Sequence, residues 1–191
     1  MVQNPARRAA LTDAAIDVLA REGARGLTFR AVDAQAEVPG GTASNYFAGR
    51  DDLLHQTARR IHHRIAPDPA VITGLLRAPR DRALVTALMH NLMSRISADR
   101  AGYLAMLELR LEATRRPELR AELTGTIRDD LEANIAYHLG EGLPGDRETA
   151  VVLYLAMTGL IVEHLTLPDV LGPGAPGTLV DTIVERIVPA V

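Results

Sequence analysis

A chain of 191 residues, 47% hydrophobic and 24% charged, is long enough to bury a sizeable core and too apolar, at a formal charge of −3, to be disordered. It contains no cysteine, which excludes a disulfide framework, a thiolate nucleophile and a cysteine zinc site. No stretch reads as the roughly 18 to 20 apolar residues of a bilayer span, and the opening MVQNPARRAALTDA lacks a signal peptide's apolar core, so a cytoplasmic protein without a membrane partner is expected.

A mildly acidic balance argues at first against a polyanion binder, but the charge is unevenly spread. All 21 cations are arginine. Residues 1–65 carry nine arginines against seven acids, a balance of +2, whereas 66–191 carry twelve against seventeen, a balance of −5.

The apolar spacing is helical along most of the chain. Leu11, Ala15, Val18 and Leu19 recur at i, i+4, i+7 and i+8, which predicts an amphipathic helix over 6–22 ended by Gly23. Thr28 is the N-cap of a short helix in which Phe29, Val32 and Ala36 share a face. Val38-Pro39 interrupts it, and a second short helix is predicted from Pro39 to Phe47, broken by Gly49. Asp51 and Asp52 mark the first turn of the next helix, whose stripe is Leu54, Ala58, Ile61 and Ile65 and which Pro67-Asp-Pro69 stops. Helices of about 80–97 and 101–114 come next, then a long one from Pro117 to His138. A Gly/Pro loop at 140–145 precedes a very apolar helix over 147–167, and after the Pro/Gly-rich 168–177 a last helix holds Val180, Val184, Ile187 and Val188. No β-alternation or repeat stands out, so the fold is expected to be all-α, with about nine helices.

Two short helices joined by a tight turn and flanked by packing helices describe a helix-turn-helix over 28–50. Small residues at the crossing (Ala31, Ala34, Ala36) and anchors beneath the second helix (Val38, Ala43, Phe47) suit it. The exposed side of that second helix would then enter a major groove. The run Leu27-Thr-Phe-Arg-Ala-Val, with Val38-Pro-Gly-Gly-Thr-Ala-Ser-Asn-Tyr-Phe47 and Arg50-Asp-Asp-Leu53, resembles the tetracycline-repressor (TetR) family of bacterial regulators over about residues 7–65.

The resemblance implies a DNA-binding domain over 1–50, a pivot helix continuing over 50–66, and a ligand-binding and dimerisation domain over 67–191. It makes 29–36 the support helix and 39–46 the recognition helix, with Thr28 on a phosphate, Thr42 on a base or phosphate, and Ser44 where the family often has a DNA-contacting tyrosine. Tyr46 falls where a histidine or another aromatic is common, and Arg50 replaces a phosphate-clamping lysine. Glu37 stands where glycine usually makes the turn, and Gly40 replaces a polar residue.

Physical chemistry adds to this reading. A cation at a helix start opposes the dipole, so an external phosphate would explain Arg50; pairing with Asp51 or Asp52 is the other reading. Asn45 can bridge adenine, cap the helix or meet a phosphate. Pro39, Gly40 and Gly41 would bring backbone close to DNA, and Arg30 lies at the groove edge.

Beyond residue 67, the helix 147–167 has apolar residues on nearly every side and must be covered. With the last helix, 178–188, it would build a four-helix interface between two copies, matching the family's two-fold dimer. The middle helices are the expected effector site, with Met89, Met93, Tyr103, Leu107, Arg110, Leu131 and His138 as candidates; plain core is the competing reading for each. No catalytic, P-loop or metal pattern is present, so neither enzyme activity nor a cofactor is expected. The expected function is a ligand-responsive regulator, most often a repressor in such families, that grips a palindromic DNA operator as a homodimer and is released by a small apolar effector. The alternative is an all-α carrier or enzyme that keeps the helix-turn-helix as scaffold.

Overall fold

In a computed structural model that describes residues 4–172 and 174–190, the chain is helical, with nine α-helices, two 3-10 turns and no β-strand among the described residues. Pro173, in the predicted 168–177 loop, lies outside them. Helix α1 spans Pro5–Gly26, with the Asn4 side chain accepting from the Ala6 and Arg7 N–H groups and Pro5 in the first turn. Its regular run ends at Gly23, as predicted. The backbone breaks there (φ 69°, ψ −178°), a conformation open to glycine, and one more turn completes the helix. The break frees the Ala24 peptide from the helix ladder. Its N–H is taken up by Glu108 Oε2 at 3.4 Å and its carbonyl by the Arg50 guanidinium.

Helix α2 is Phe29–Gln35, α3 is Arg50–Ile65, α4 is Pro69–Leu75 and α5 is Arg82–Ala98; α6 is Arg100–Ala113, α7 is Pro117–Gly140, α8 is Arg147–Thr166 and α9 is Ala175–Ile187. Helix α4 is absent from the sequence reading, which took Pro67-Asp-Pro69 only as a stop. Asp68 caps α4 by accepting from the Ala70 N–H, and Pro69 sits in its first turn, so the same triplet that ends one helix starts the next.

The chain divides into two compact units. The first contains Met1–Ala66 and Asp99–Gly125, the second Pro67–Ala98 and Thr126–Val191. The +2 and −5 charge balance of the two sequence segments also holds for these units, because residues 99–125 carry five arginines and five acids.

In the first unit α1 packs on α2, α3 and α6 around Leu11, Ile16, Leu19, Leu27, Leu53, Leu54, Ile61 and Leu109, all buried. Polar groups at its margin are paired. Asp13 of α1 accepts from Arg60 at 2.9 and 2.7 Å and from Arg64 at 3.4 Å, while Arg64 also grips Asp99 at 2.9 and 2.6 Å. The Arg60 hydrogen bond holds the Asp13 carboxyl below its ordinary value of 3.8. A carboxyl whose folded pKa is depressed contributes stability above its unfolded value and loses it as pH falls through the folded one. Asp13→Asn is therefore expected to lower stability by about 1 kcal/mol at neutral pH, given the partial exposure of the pair. In urea unfolding, the gap from the native protein should close as pH drops below 3.8.

In the second unit α9 packs on α8 and α5 around Leu84, Val85, Met93, Leu153, Met157, Ile161, Val180 and Val184. Helix α8 corrects one expectation. At 20 residues it is long and apolar enough, by length and composition, to cross a membrane, because Thr149, Thr158 and Gly159 interrupt the run without charging it. Its apolar residues are not all covered within the chain, which leaves the partner-seeking face expected of it. Only 28% of its most apolar window is buried, and Val152 (42% exposed) and Leu155 (60%) face outward.

Candidate nucleic-acid interface

The interface begins with the cap of α2. Thr28 Oγ1 accepts from the Ala31 N–H at 3.1 Å, as its position in the sequence predicts. The other end of α2 closes as a Schellman motif, in which the Glu37 N–H reaches the Ala34 carbonyl at 3.2 Å and the Val38 N–H reaches that of Asp33 at 3.0 Å. The motif needs a left-handed residue, and Glu37 supplies it at φ 53°, the only non-glycine with positive φ among the described residues. Glu37→Gly should relieve that cost and stabilise the protein by roughly 0.5–1 kcal/mol, read as a higher urea midpoint at unchanged slope.

Asp33 shapes the segment beyond this turn. It is 3% exposed, and its two carboxylate oxygens accept from the Gly41 and Ala43 N–H groups, each at 2.7 Å. The segment 39–47 is consequently not the predicted helix. It is a series of turns around one 3-10 turn, Ala43–Asn45. Three causes act together. Gly41 adopts φ 90°, outside any helix, and Asp33 draws away the amides of Gly41 and Ala43. The Thr42 and Ser44 hydroxyls also bond back to the Pro39 and Gly41 carbonyls at 2.6 and 2.8 Å, competing with a regular ladder.

The underside of this segment is anchored by Ala43 and Phe47, both buried, and Phe47 stacks on Phe29 at 6.5 Å between centroids. Its outer surface exposes Pro39, Gly40, Gly41, Ser44 and Asn45, and Thr28 and Arg30 at the start of α2 are exposed as well. Thr42 and Tyr46 are half-buried. The segment leaves through Ala48, whose N–H donates to Asp52 Oδ2 at 2.8 Å.

Arg50 does not pair with Asp51 or Asp52. Its guanidinium turns inward to the Ala24 carbonyl, and its buried Nε has no hydrogen-bond partner. Asp51 pairs instead with Arg116 at 2.5 Å, and Arg116 also holds Glu112 at 2.6 Å.

Sequence reasoning missed Asp33, although a signal was present. It lies on the apolar stripe of Phe29, Val32 and Ala36, and an acid at a core position requires donors that only the neighbouring segment can supply.

Two family models match this chain. One, described as bacterial regulatory proteins of the tetR family, covers residues 11–57, and one described as tetracyclin repressor-like, C-terminal domain, covers 80–190. The chain belongs to the TetR family of transcriptional regulators. This TetR-family regulator is 27% identical over 179 residues to the HTH-type transcriptional regulator BetI of Agrobacterium fabrum, covering 93% of this chain and 85% of that one. Among solved structures, it is 29% identical to the TetR-family member SCO1917 of Streptomyces coelicolor, with a TM-score of 0.73 and coverage of 97% and 100%. It is 28% identical, at a TM-score of 0.67 and 98% coverage of both chains, to the multidrug binding protein EbrR in complex with imidazole, and EbrR has also been solved with proflavin, ethidium and malachite green.

The TetR-family C-terminal match encloses all of the predicted effector residues. In the second unit Met93 is buried, and Met89 and Leu131 are half-buried. His138 is buried there too, but its Nε2 is engaged by the Pro144 carbonyl at 2.9 Å, which makes it a latch for the loop after α7. Tyr103, Leu107 and Arg110 belong to the first unit, where Tyr103 and Leu107 are half-buried and Arg110 is exposed.

Proposed function

We propose that this TetR-family regulator binds a palindromic operator as a homodimer and is released from it by a small, largely apolar effector. The observation that carries the reading is the segment 39–47, held from beneath by Asp33 and Phe47 so that Pro39, Gly40, Gly41, Ser44 and Asn45 form an exposed edge beside Thr28 and Arg30. Thr42 and Tyr46, half-buried at that edge, complete the candidate DNA surface. Arg50 joins it if its guanidinium exchanges the Ala24 carbonyl for a phosphate. Functionally, residues 1–50 read DNA, the helix over 50–66 is the pivot, and 67–191 serve effector binding and dimerisation.

The outward stripe of α8 supports the homodimer. Val152, Leu155, Gly159 and Thr166 are all exposed at spacings that place them on one face, and α9, which packs on α8, carries half-buried Leu179 and Ile183 four residues apart. In the second unit Met89, Met93 and Leu131 are the effector-facing candidates, and proflavin, ethidium and malachite green, the molecules in the EbrR complexes, are the first to screen. The relatives act as transcriptional regulators, so the reading includes no catalysis and places the protein in the bacterial cytoplasm.

Selection of duplexes from a random DNA pool by the full-length protein tests the reading. The expected product is an inverted repeat with half-sites about 10 base pairs apart, or a multiple of that spacing. Asn45→Ala and Arg50→Ala should each weaken binding to it by about tenfold. A pool that shows no enrichment, or both variants at native affinity, overturns the assignment.

A further inference from the structure

The entry to segment 39–47 is held by Asp33; its exit is held by a second and separate set of contacts that begins on α1. Arg8, half-buried in the second turn of α1, lies 5.8 Å from the centroids of both the Tyr46 and Phe47 rings. Its Nη1 donates to Gln56 Oε1 at 2.5 Å. The same Gln56 amide donates through Nε2 to Asp52 Oδ1 at 2.8 Å, and the other Asp52 oxygen takes the Ala48 N–H at 2.8 Å. Burial alone would raise the Asp52 carboxyl, but the bonds from Gln56 and Ala48, with Arg8 and His55 nearby, hold it below the ordinary aspartate value. An arginine near the start of a helix works against the dipole, and the first turn of α1 has no acid to offset it. What Arg8 gains is the face of two aromatic rings and a hydrogen-bond acceptor on α3.

We propose that Arg8 is a positioning residue for DNA reading: stacked on Tyr46 and Phe47 and linked through Gln56 and Asp52 to Ala48, it fixes the exit of the 39–47 segment against α1 and α3. The inference rests on the DNA-binding reading above and adds to it a residue that lies outside the helix-turn-helix segment. Because the guanidinium is engaged with the rings and Gln56, Arg8 acts through Tyr46 and not through a phosphate. Lysine, a point charge without a planar fork, is a poor replacement for it.

The test measures affinity by fluorescence anisotropy for the duplex enriched by the native protein, at four salt concentrations, with native, R8Q, R8K and Q56M chains. R8Q is expected to bind about tenfold more weakly with an unchanged salt slope, and R8K to recover less than half of that loss on a logarithmic scale. Q56M, which leaves the Arg8 charge in place, should bind about threefold more weakly. Amide exchange at Ala48 should accelerate in R8Q and Q56M while the α1 core at Leu11–Leu19 keeps its protection. A direct phosphate contact would instead lower the slope by about one in R8Q, with full rescue by lysine, and would overturn the proposal. So would native affinity in R8Q, or unchanged exchange at Ala48. If the native chain enriches no duplex, the DNA-binding reading itself fails; if it does and R8Q binds as tightly, only the role of Arg8 fails.

Discussion

Asp33→Ala is expected to abolish operator binding and to destabilise the first unit by roughly 2–5 kcal/mol. The reason is the asymmetry of hydrogen bonding. Forming these bonds on folding contributes little net free energy, but removing the acceptor strands the Gly41 and Ala43 N–H groups in a site where Asp33 is 3% exposed. Gly41 at φ 90° has no helix to return to, so the segment would reorganise instead of merely losing two contacts. Asp33→Asn separates shape from charge. An amide offers one acceptor oxygen and one donor face, so it can satisfy one N–H but not both, and an intermediate loss is expected. Urea unfolding and anisotropy on the same preparations distinguish the outcomes. An Asp33→Ala protein with native stability and native affinity would remove Asp33 from the account of how the segment is held.

The second large effect is expected at α8. Leu155 is 60% exposed in the single chain, on the stripe with Val152 and Gly159. In the proposed homodimer a guanidinium on this stripe would be desolvated with nothing to pair it, so Leu155→Arg should yield a monomer at micromolar concentration. Operator affinity should fall by at least about a hundredfold, because two half-sites would no longer be engaged by one molecule. Light scattering coupled to size exclusion reads the mass directly. A Leu155→Arg chain that remains dimeric would place the seam elsewhere; one that becomes monomeric and keeps full affinity would separate dimerisation from DNA reading.

Most of the element order was legible because the apolar spacing is regular and the punctuation strong. The starts of α1, α2 and α3 are set by Pro5, Thr28 and the Asp51-Asp52 pair, all visible in the sequence. What escaped was the effect of one segment on another. Pro39 and the small residues after it look like a helix start when read locally, yet the amides of Gly41 and Ala43 belong to Asp33, eight and ten residues earlier. Arg50 shows the same limit. Its charge at a helix start signalled a partner outside its own helix, but the partner in this structure is the carbonyl released by the break at Gly23. Helix α4 was missed for the opposite reason: Asp68-Pro69 has an N-cap and first-turn signature, but the proline was weighed only as a breaker. Apolar pattern told that α8 is apolar on nearly every side, but not what covers it, and its few small polar residues hid that it reaches membrane-spanning length.

The way the 39–47 segment is supported has a consequence for how its specificity can drift. Its shape is stored in Asp33, Phe47 and the backbone, not in its outward side chains. Gly40 stands at the exposed edge, its φ outside the range that excludes other residues, and a Cβ added there would meet nothing within 4 Å. In the DNA-binding reading proposed above, Gly40 is therefore an evolvable position on the candidate DNA surface. A Gly40 library should yield folded regulators, with stability changes within about 0.5 kcal/mol, whose preferred operators diverge in a single generation of mutation.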